Sequence, residues 1–295
     1  MGSSTQHHGR SPYPPPIVVA EIGCNHMGDM EIAKELISLA AQSGARYAKF
    51  QKRNPKELLS QDAYDKPHPV PYNSFGDSYG AHREYLELTA DQHVVLKNHC
   101  DAVGVGYACS VWDLSSAHDI MALNPDYIKV PSACNTHEAL LKLLVDKYSG
   151  QIHVSLGMTT KEEEERMMQL LKPAWERVVI YACTSGYPVA FSDTCLLEIS
   201  RLATNYGAEV SSVGFSGHHL GIAIDVAAYA LKATWIERHF TKDRTWKGTD
   251  HAASLEPGGL SKLVRNLEAT HASLTYKEDE ILDIEKPQRD KLKYK

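Results

Sequence analysis

Short apolar runs alternate with longer amphipathic stretches from residue 17 to about residue 270. Eight of the runs are rich in β-branched and aromatic residues and have the length of buried strands. They are IVVAEI (17–22), YAKFQ (47–51), GYACSV (106–111), YIKV (127–130), IHVSL (152–156), RVVIYAC (177–183), SVGFSG (212–217) and WIERHF (235–240). The stretches between them repeat apolar residues at helical spacing, and several end at glycine. The pattern predicts eight strand–helix units.

Eight such units favour an α/β protein built as a closed parallel (β/α)₈ TIM barrel. An open doubly wound sheet is the alternative, but no GxGxxG turn follows the first strand. We expect the barrel domain to span residues 17–275, after a disordered leader at 1–16 and before a charged C-terminal extension at 276–295. A polar insert at 52–89, rich in Pro, Tyr, Asp and Gly, is predicted as a long loop that acts as a lid or binding loop.

Composition and charge narrow the class of protein. The 295 residues are 43% hydrophobic and carry a net charge of −6, which argues against a nucleic-acid or acidic-membrane partner but allows a small anionic ligand. The six cysteines form no CxxC pair, and no signal peptide or apolar run long enough to cross a membrane is present. A cytoplasmic location is therefore expected.

Most of the apolar runs end in polar or charged side chains, and in a parallel barrel these ends meet at one face. The cations Lys49 and Lys129 could bind phosphate or carboxylate groups together with serine hydroxyls. Imidazoles from neighbouring strands could bind one divalent ion together. Carboxylates could accept hydrogen bonds from hydroxyl groups or transfer protons. The serines are Ser110, Ser132, Ser185 and Ser216, the imidazoles His218 and His239, and the carboxylates Glu21, Glu237 and Asp250.

Seven segments at these strand ends resemble the sialic acid synthase family, in order along the chain. They are AEIGCNHMGD (20–29), AKFQK (48–52), YIKVPSACN (127–135), SLGMTT (155–160), CTSGYP (183–188), GFSGHHLG (214–221) and IERHFTKDRTWKGTDHAASLEP (236–257). The segments SGH and TWKGTDHAASLEP are most similar to the animal-type branch, which uses a 6-phosphorylated sugar.

The resemblance implies an enzyme that condenses phosphoenolpyruvate with N-acetylmannosamine, its 6-phosphate or a related aldose. Phosphate is released and a sialic or other nonulosonic acid forms. The lysines and serines named above would bind phosphoenolpyruvate. His218 and His239 would ligate Mn²⁺, with Mg²⁺ or Co²⁺ as alternatives, while His219 would be a loop residue or support the site indirectly. Glu21, Tyr187, Glu237 and Asp250 would contact the sugar.

The chain departs from the family in two ways. Cys134 stands where the family has an acidic residue, and a thiol is a poor substitute for a carboxylate near neutral pH. The chain also ends at Lys295, before the small antifreeze-like domain that family members carry. A homodimer, a separately encoded antifreeze-like cap protein and a lid formed by residues 52–89 are the arrangements left open.

The same residues allow two rival functions. A Schiff-base aldolase would use Lys49 or Lys129 as nucleophile. A catalytically impaired sugar-acid-binding subunit would explain Cys134. Several other conspicuous residues are predicted to be structural: Trp112 and Trp175, and the small core residues Cys24, Cys109 and Cys183.

Overall fold

Eight parallel strands close into a barrel in the computed structural model, which describes residues 11–294. The strand order follows the sequence, so each strand pairs with the next and β8 pairs with β1. The predicted (β/α)₈ barrel is confirmed. The strands are β1 (Ile17–Gly23), β2 (Tyr47–Lys52), β3 (Gly106–Val111), β4 (Tyr127–Val130), β5 (Gln151–Ser155), β6 (Val178–Cys183), β7 (Ser212–Gly217) and β8 (Trp235–His239).

Helices connect successive strands and cover the outside of the barrel. Asp29, Thr89 and Thr160 cap the helices that follow them, and the two threonines form complete capping boxes. The helices are α1 (Met30–Gln42), α2 (Pro55–Leu58), α3 (Gln61–Asp65), α4 (Tyr79–Tyr85), α5 (Ala90–Val103), α6 (Leu114–Ala122), α7 (Glu138–Lys147), α8 (Lys161–Leu171), α9 (Leu197–Tyr206), α10 (Ala223–Ala230), α11 (Pro257–Ser273) and α12 (Lys286–Leu292).

The strand register brings polar residues from neighbouring strands to the same height. Glu21 of β1 pairs with Lys49 of β2 on one side and with His239 of β8 on the other. Ser110 pairs with Lys129, and Ser216 pairs with Glu237. Because these positions lie near the carboxyl ends of the strands, the register assembles a polar layer at the face where barrels of this kind keep their chemistry.

An aromatic layer fills the barrel below that polar layer. Tyr127 stacks on His153 with ring centroids 3.8 Å apart, and Trp235 meets His153 edge-on at 4.5 Å. Tyr47 stacks on Trp235, and Tyr181 hydrogen-bonds to His153 through its hydroxyl at 2.9 Å. All five side chains are buried. The barrel interior is therefore packed and closed beneath the strand ends.

The insert at 52–89 is folded, which corrects the prediction of a long loop. It contains α2, α3 and α4, and a 3₁₀ turn at Pro71–Asn73. Asn54, Ser60 and Ser78 each accept a hydrogen bond from a backbone N–H in the first turn of the helix that follows. These caps satisfy N–H groups that very short helices would otherwise leave free.

The two predicted ends of the chain are partly described. Tyr13 and Pro14, from the predicted leader, contact Tyr229 of α10: the rings of Tyr13 and Tyr229 lie 6.0 Å apart, and the Tyr229 hydroxyl donates to Pro14 O at 2.9 Å. Residues 1–10 of that leader lie outside the described residues. The predicted extension at 276–295 contains α12, and before that helix Lys277 pairs with Glu285 at 2.8 Å. Among residues 11–294, no helix has the length and apolar character needed to cross a membrane.

Candidate active site

A cavity of about 290 Å³ opens at the carboxyl ends of the strands. Every site residue predicted from the sequence lines it except Asp250. The lining comprises Glu21, Lys49, Gln51, Ser110, Trp112, Lys129, Pro131, Ser132, Ala133, Ser155, Met158, Cys183, Ser185, Tyr187, Ser216, His218, Glu237 and His239. No residue of the insert at 52–89 belongs to this lining.

Two lysines and two carboxylates form a buried charged network within the cavity wall. Lys49 forms an ion pair with Glu21 and lies 3.6 Å from Glu237, and Lys129 Nζ lies 2.7 Å from Glu237 Oε1. Although burial opposes ionisation of Glu237, Lys129 and Lys49 lower its pKa to about 2. Burial also disfavours the Lys49 ammonium, but Glu21 and Glu237 outweigh it and raise the pKa of Lys49.

Glu21 differs from Glu237 in its protonation chemistry. Burial is the largest influence on Glu21 and raises its pKa above the ordinary value, even though Lys49 opposes that shift. Gln51 donates a hydrogen bond to Glu21 Oε1 at 2.8 Å, and Lys49 pairs with Glu21 Oε2, while Oε2 of Glu237 accepts no hydrogen bond. The pair thus combines a carboxylate whose pKa is lowered with one whose pKa is raised, and such a difference suits proton transfer.

Serine hydroxyls line the wall next to the lysines. Lys49 donates to Ser110 Oγ at 2.7 Å, and Ser132 donates to Ser155 Oγ at 3.0 Å. The backbone N–H of Gly157 donates to Ser132 Oγ at 3.1 Å. A Cβ at residue 157 would lie 2.5 Å from Ser185 Oγ and 2.6 Å from Ser132 Oγ, so only glycine allows these two hydroxyls to approach the chain here.

His218 and His239 face each other across the top of β7 and β8, with ring centroids 5.5 Å apart. His218 Nδ1 lies 2.9 Å from Thr184 O, a contact that places a proton on Nδ1 and leaves Nε2 as the nitrogen that could bind a metal. Burial lowers the pKa of His239 to about 4, so this imidazole is neutral, and its Nδ1 has no hydrogen-bond partner. A shared divalent ion would take the unpartnered Nδ1 of His239 and displace the Cys183 thiol from His218 Nε2.

Among the described residues, no cluster of three or more His, Cys, Asp or Glu side chains is arranged to hold a metal ion. The candidate metal centre therefore rests on two imidazoles. Asp250 lies behind one of them: its Oδ2 is 4.0 Å from His239 Nδ1, too far for a hydrogen bond. Two ligands leave most of the coordination sphere to water and substrate, as in a catalytic rather than a structural centre.

The two adjacent histidines of the GFSGHHLG segment point to different places. His219 is fully buried outside the cavity, with Nε2 3.1 Å from Arg238 Nη1 and 3.3 Å from Asp225 Oδ2. Tyr187 stays with His218, ring centroids 4.3 Å apart, and is about half exposed at the cavity mouth.

Two residues predicted as structural belong to the cavity wall. Trp112, which follows β3, and Cys183, at the end of β6, both line it. Burial is the largest influence and raises the pKa of the Cys183 thiol, but a hydrogen bond from His218, the charges of His218 and Lys129 and a hydrogen bond from Ser155 together lower it to about 7. The feature of the sequence that could have identified them is their position at the end of a strand, which they share with the predicted serines.

Cys134 lies outside the cavity lining, although its neighbours Ser132 and Ala133 belong to it. Its side chain packs into the hydrophobic core between barrel and helices and is 7% exposed. Burial, reinforced by Asp113, raises the pKa of the thiol to about 12. A residue in this environment neither ionises near neutral pH nor reaches the cavity, so Cys134 does not act as the family carboxylate would.

Comparison with known proteins identifies the family. Residues 36–279 match the NeuB family. The chain belongs to the NeuB family. It is similar to the N-acetylneuraminate-9-phosphate synthase of Homo sapiens, with 35% identity over 278 residues covering 94% of this chain and 76% of that protein.

Other NeuB-family relatives agree with this assignment. The N,N'-diacetyllegionaminic acid synthase of Campylobacter jejuni is 34% identical over 250 residues, covering 84% of this chain and 74% of that protein. The N-acetylneuraminic acid synthetase of Leptospira borgpetersenii, solved in complex with citrate, superposes with a TM-score of 0.80 at 27% identity and covers 96% of this chain and 94% of that one. The resemblance to sialic acid synthases is confirmed, and this NeuB-family chain is an enzyme of the sialic acid synthase type.

Proposed function

We propose that this enzyme joins phosphoenolpyruvate to an aldose, which is N-acetylmannosamine, its 6-phosphate or a related sugar, and releases phosphate. The product is a sialic or other nonulosonic acid. The observation that carries the proposal is the buried network of Lys49, Lys129, Glu21 and Glu237 beside serine hydroxyls, in the same cavity as His218 and His239. The names of the relatives support the same class of product.

The lysines supply the positive charge that phosphoenolpyruvate needs. Its phosphate and carboxylate would replace Glu21 and Glu237 as partners of the two ammonium groups, with hydroxyls from Ser110, Ser132, Ser155, Ser185 and Ser216 completing the hydrogen bonds. This arrangement orients C3 of the enol ester towards the second substrate and excludes water from the anionic groups.

The carboxylates displaced by the substrate are well placed to handle protons. C3 of phosphoenolpyruvate forms a bond to the aldehyde carbon, and the aldehyde oxygen takes up a proton to become a hydroxyl. Water then adds at C2 and loses one proton to give a C2 hydroxyl. The C2–O bond to phosphate breaks as that hydroxyl passes its proton to the departing phosphate, which leaves a 2-keto acid and inorganic phosphate. Glu21, whose pKa burial raises, is the candidate donor to the aldehyde oxygen, and Glu237 is the candidate acceptor of the proton from water.

His218 and His239 would hold a divalent ion, Mn²⁺ or alternatively Mg²⁺ or Co²⁺. When bound there, such an ion polarises a carbonyl oxygen as a Lewis acid. The chain's own contribution is to keep His239 neutral by burial and to fix the orientation of His218 through Thr184 O.

The Schiff-base alternative conflicts with the charge state of the lysines. A nucleophilic lysine needs a lowered pKa, whereas two carboxylates raise the pKa of Lys49. Lys129 is engaged by Glu237 and lies 4.4 Å above the ring of Tyr181. Both ammonium groups are therefore arranged to bind anions.

The direct test measures phosphate release from phosphoenolpyruvate with N-acetylmannosamine, its 6-phosphate and mannose, with Mn²⁺ and with a chelator. Product mass then identifies the acid formed. Absence of release with every aldose, from folded and metal-loaded protein, would refute the proposal.

Borohydride trapping of a pyruvate adduct, with full activity in chelator, would establish the Schiff-base alternative. Light scattering tests whether the chain forms a homodimer, and the same assay with an added antifreeze-like protein tests the cap.

A further inference from the structure

Arg238 lies on β8 between two residues of the candidate site but points away from the cavity. Glu237 and His239 line the cavity, whereas Arg238 does not. Successive side chains of a strand alternate between its two faces, so Arg238 extends into the layer between the barrel and α10. Its side chain is 1% exposed. The proposed condensation gives this buried guanidinium no task.

The guanidinium binds the segment at 218–222, which connects β7 to α10 and begins with His218. Nη2 donates to His219 O at 2.6 Å, and Nη1 donates to Gly221 O at 2.8 Å. Nη1 also donates to Oδ2 of Asp225, in the first turn of α10, at 2.6 Å. One side chain of β8 therefore holds the segment at two carbonyl groups and at the helix that follows it.

The residues before this segment hold His218 from the opposite side. The N–H of Val189 donates to His218 O at 3.0 Å, and Thr184 O lies 2.9 Å from the Nδ1 of the same residue. Both partners belong to the chain that follows β6. Arg238 supplies the hydrogen bonds from the β8 side, so His218 lies between two anchored stretches of backbone.

The burial of this cluster makes its contacts specific to arginine. Asp225 is completely buried, and a buried carboxylate needs a cation close by. A planar guanidinium presents donors in several directions at once and can satisfy a carboxylate and two carbonyl groups together. A lysine would keep the charge beside Asp225, but its single ammonium lacks the fork that spans the two carbonyls.

We propose that Arg238 is a positioning residue for the candidate metal centre: by holding the segment at 218–222, it fixes His218 relative to His239, its own neighbour on β8. The inference rests on the proposed function and deepens its metal centre. The two rings lie 5.5 Å apart between centroids and are the only candidate protein ligands among the described residues. With two ligands, no third side chain compensates for a displacement of one ring.

The experiment measures Mn²⁺ affinity by isothermal titration, and the environment of the bound ion by electron paramagnetic resonance, without turnover. Arg238→Lys should weaken Mn²⁺ binding about tenfold or more, as does the loss of other groups that orient metal ligands. Arg238→Met combined with Asp225→Leu leaves no buried charge at this place and should weaken it at least as much. Affinity for phosphoenolpyruvate, titrated in chelator, should stay within about threefold, because Lys49 and Lys129 do not depend on the segment.

Arg201→Lys is the matched control. Nη1 and Nη2 of Arg201 each donate to a carboxylate oxygen of Glu164 at 2.7 Å, between α8 and α9, and neither residue lines the cavity. The same substitution here removes a comparable fork at a place that does not hold His218. It should lower stability in urea unfolding and leave Mn²⁺ affinity unchanged.

The outcomes separate this inference from the function on which it rests. If wild type binds no Mn²⁺, the proposed metal centre fails and the inference fails with it. If wild type and both Arg238 variants bind Mn²⁺ equally, only the inference is wrong. If the affinities for Mn²⁺ and phosphoenolpyruvate fall together, Arg238 supports the barrel as a whole and the inference is again wrong. If Arg238→Lys unfolds, the charge-free double variant decides the question.

Discussion

The ammonium of Lys129 lies 2.7 Å from Oε1 of Glu237, and both side chains are almost completely buried. The same oxygen accepts a hydrogen bond from Ser216 at 3.3 Å and lies 3.6 Å from Lys49 Nζ, while Oε2 of Glu237 has no partner. Glu237 is therefore the point at which two lysines and a serine meet, and its charge depends on them.

Lys129→Met should destabilise the protein by about 3 kcal/mol, because removal of one partner leaves a buried carboxylate with insufficient compensation. Lys129→Met combined with Glu237→Gln should recover much of that loss, since the double variant contains no unpaired charge at this place. Urea unfolding measures both. Lys34→Met, which breaks an exposed pair with Glu31, is the control and should cost about 0.5 kcal/mol or less. Additive costs in the double variant would show that the two residues are not coupled.

Substitution of His218 or His239 by glutamine should weaken Mn²⁺ binding by more than about 100-fold, since loss of a hydrogen-bond partner of a ligand alone costs about 10- to 100-fold. His219→Gln should leave Mn²⁺ affinity nearly unchanged, because His219 points to Arg238 and Asp225 outside the cavity. Isothermal titration with Mn²⁺ reports affinity without any turnover. Weaker binding by the His219 variant alone would reverse the assignment of these adjacent residues.

Cys134→Ala should keep activity within about threefold, because the thiol lies in the core and is protonated, with a pKa raised to about 12 by burial and by Asp113. Cys134→Glu should destabilise the protein by about 3 kcal/mol or more, since it introduces a buried carboxylate whose charge Asp113 repels. Steady-state kinetics and urea unfolding test the two changes. Higher turnover by the glutamate variant, at unchanged stability, would favour the impaired-subunit hypothesis instead.

Stability should decrease as the pH falls below about 6.5, owing to buried histidines. Burial lowers the pKa of His26 to about 4 and that of His93 to about 3. Between these values and the ordinary pKa of histidine near 6.5, the unfolded chain binds protons that the folded protein does not. Each such histidine therefore contributes stability that is complete above about pH 6.5 and is lost at up to about 1.4 kcal/mol per pH unit as the pH falls towards its folded pKa.

His93→Gln removes one of these buried histidines and so tests its contribution to the pH dependence of stability. It should flatten the fall in the free energy of unfolding between pH 6.5 and pH 5 by the contribution of one histidine, whatever its effect on stability at pH 8. His118→Gln, at an exposed position on α6, should leave the slope as it is in wild type. Urea unfolding at several pH values gives the slopes, and equal slopes for wild type and His93→Gln would contradict the assignment.

The strands were predictable because each is a short β-branched run buried on both faces, and this pattern has few alternatives. Lys49 and His239 could be assigned to one rim because parallel strands bring their carboxyl ends together. The insert was harder, since α2, α3 and α4 are too short to show helical periodicity. Their caps at Asn54, Ser60 and Ser78 were the only local signal.

Side-chain direction could not be predicted in the same way. Ser132, Ala133 and Cys134 are consecutive, yet a single 3₁₀ turn places the first two in the cavity wall and turns the third into the core. Trp112 is the opposite case: its size suggested packing, but its position after β3 places it at the rim between Arg53 and Arg83. Such outcomes depend on one or two dihedral angles and leave no periodic trace in the sequence.

The layer formed by Tyr47, Tyr127, His153, Tyr181 and Trp235 closes the barrel from below. Substrates therefore enter, and products leave, through the same opening at the carboxyl ends of the strands. A substrate bound against the lysines has to enter before a larger second substrate blocks the opening. It cannot leave until the second substrate has dissociated or has been joined to it. Because the cavity is open at one end only, we expect steady-state kinetics with a compulsory order of substrate addition.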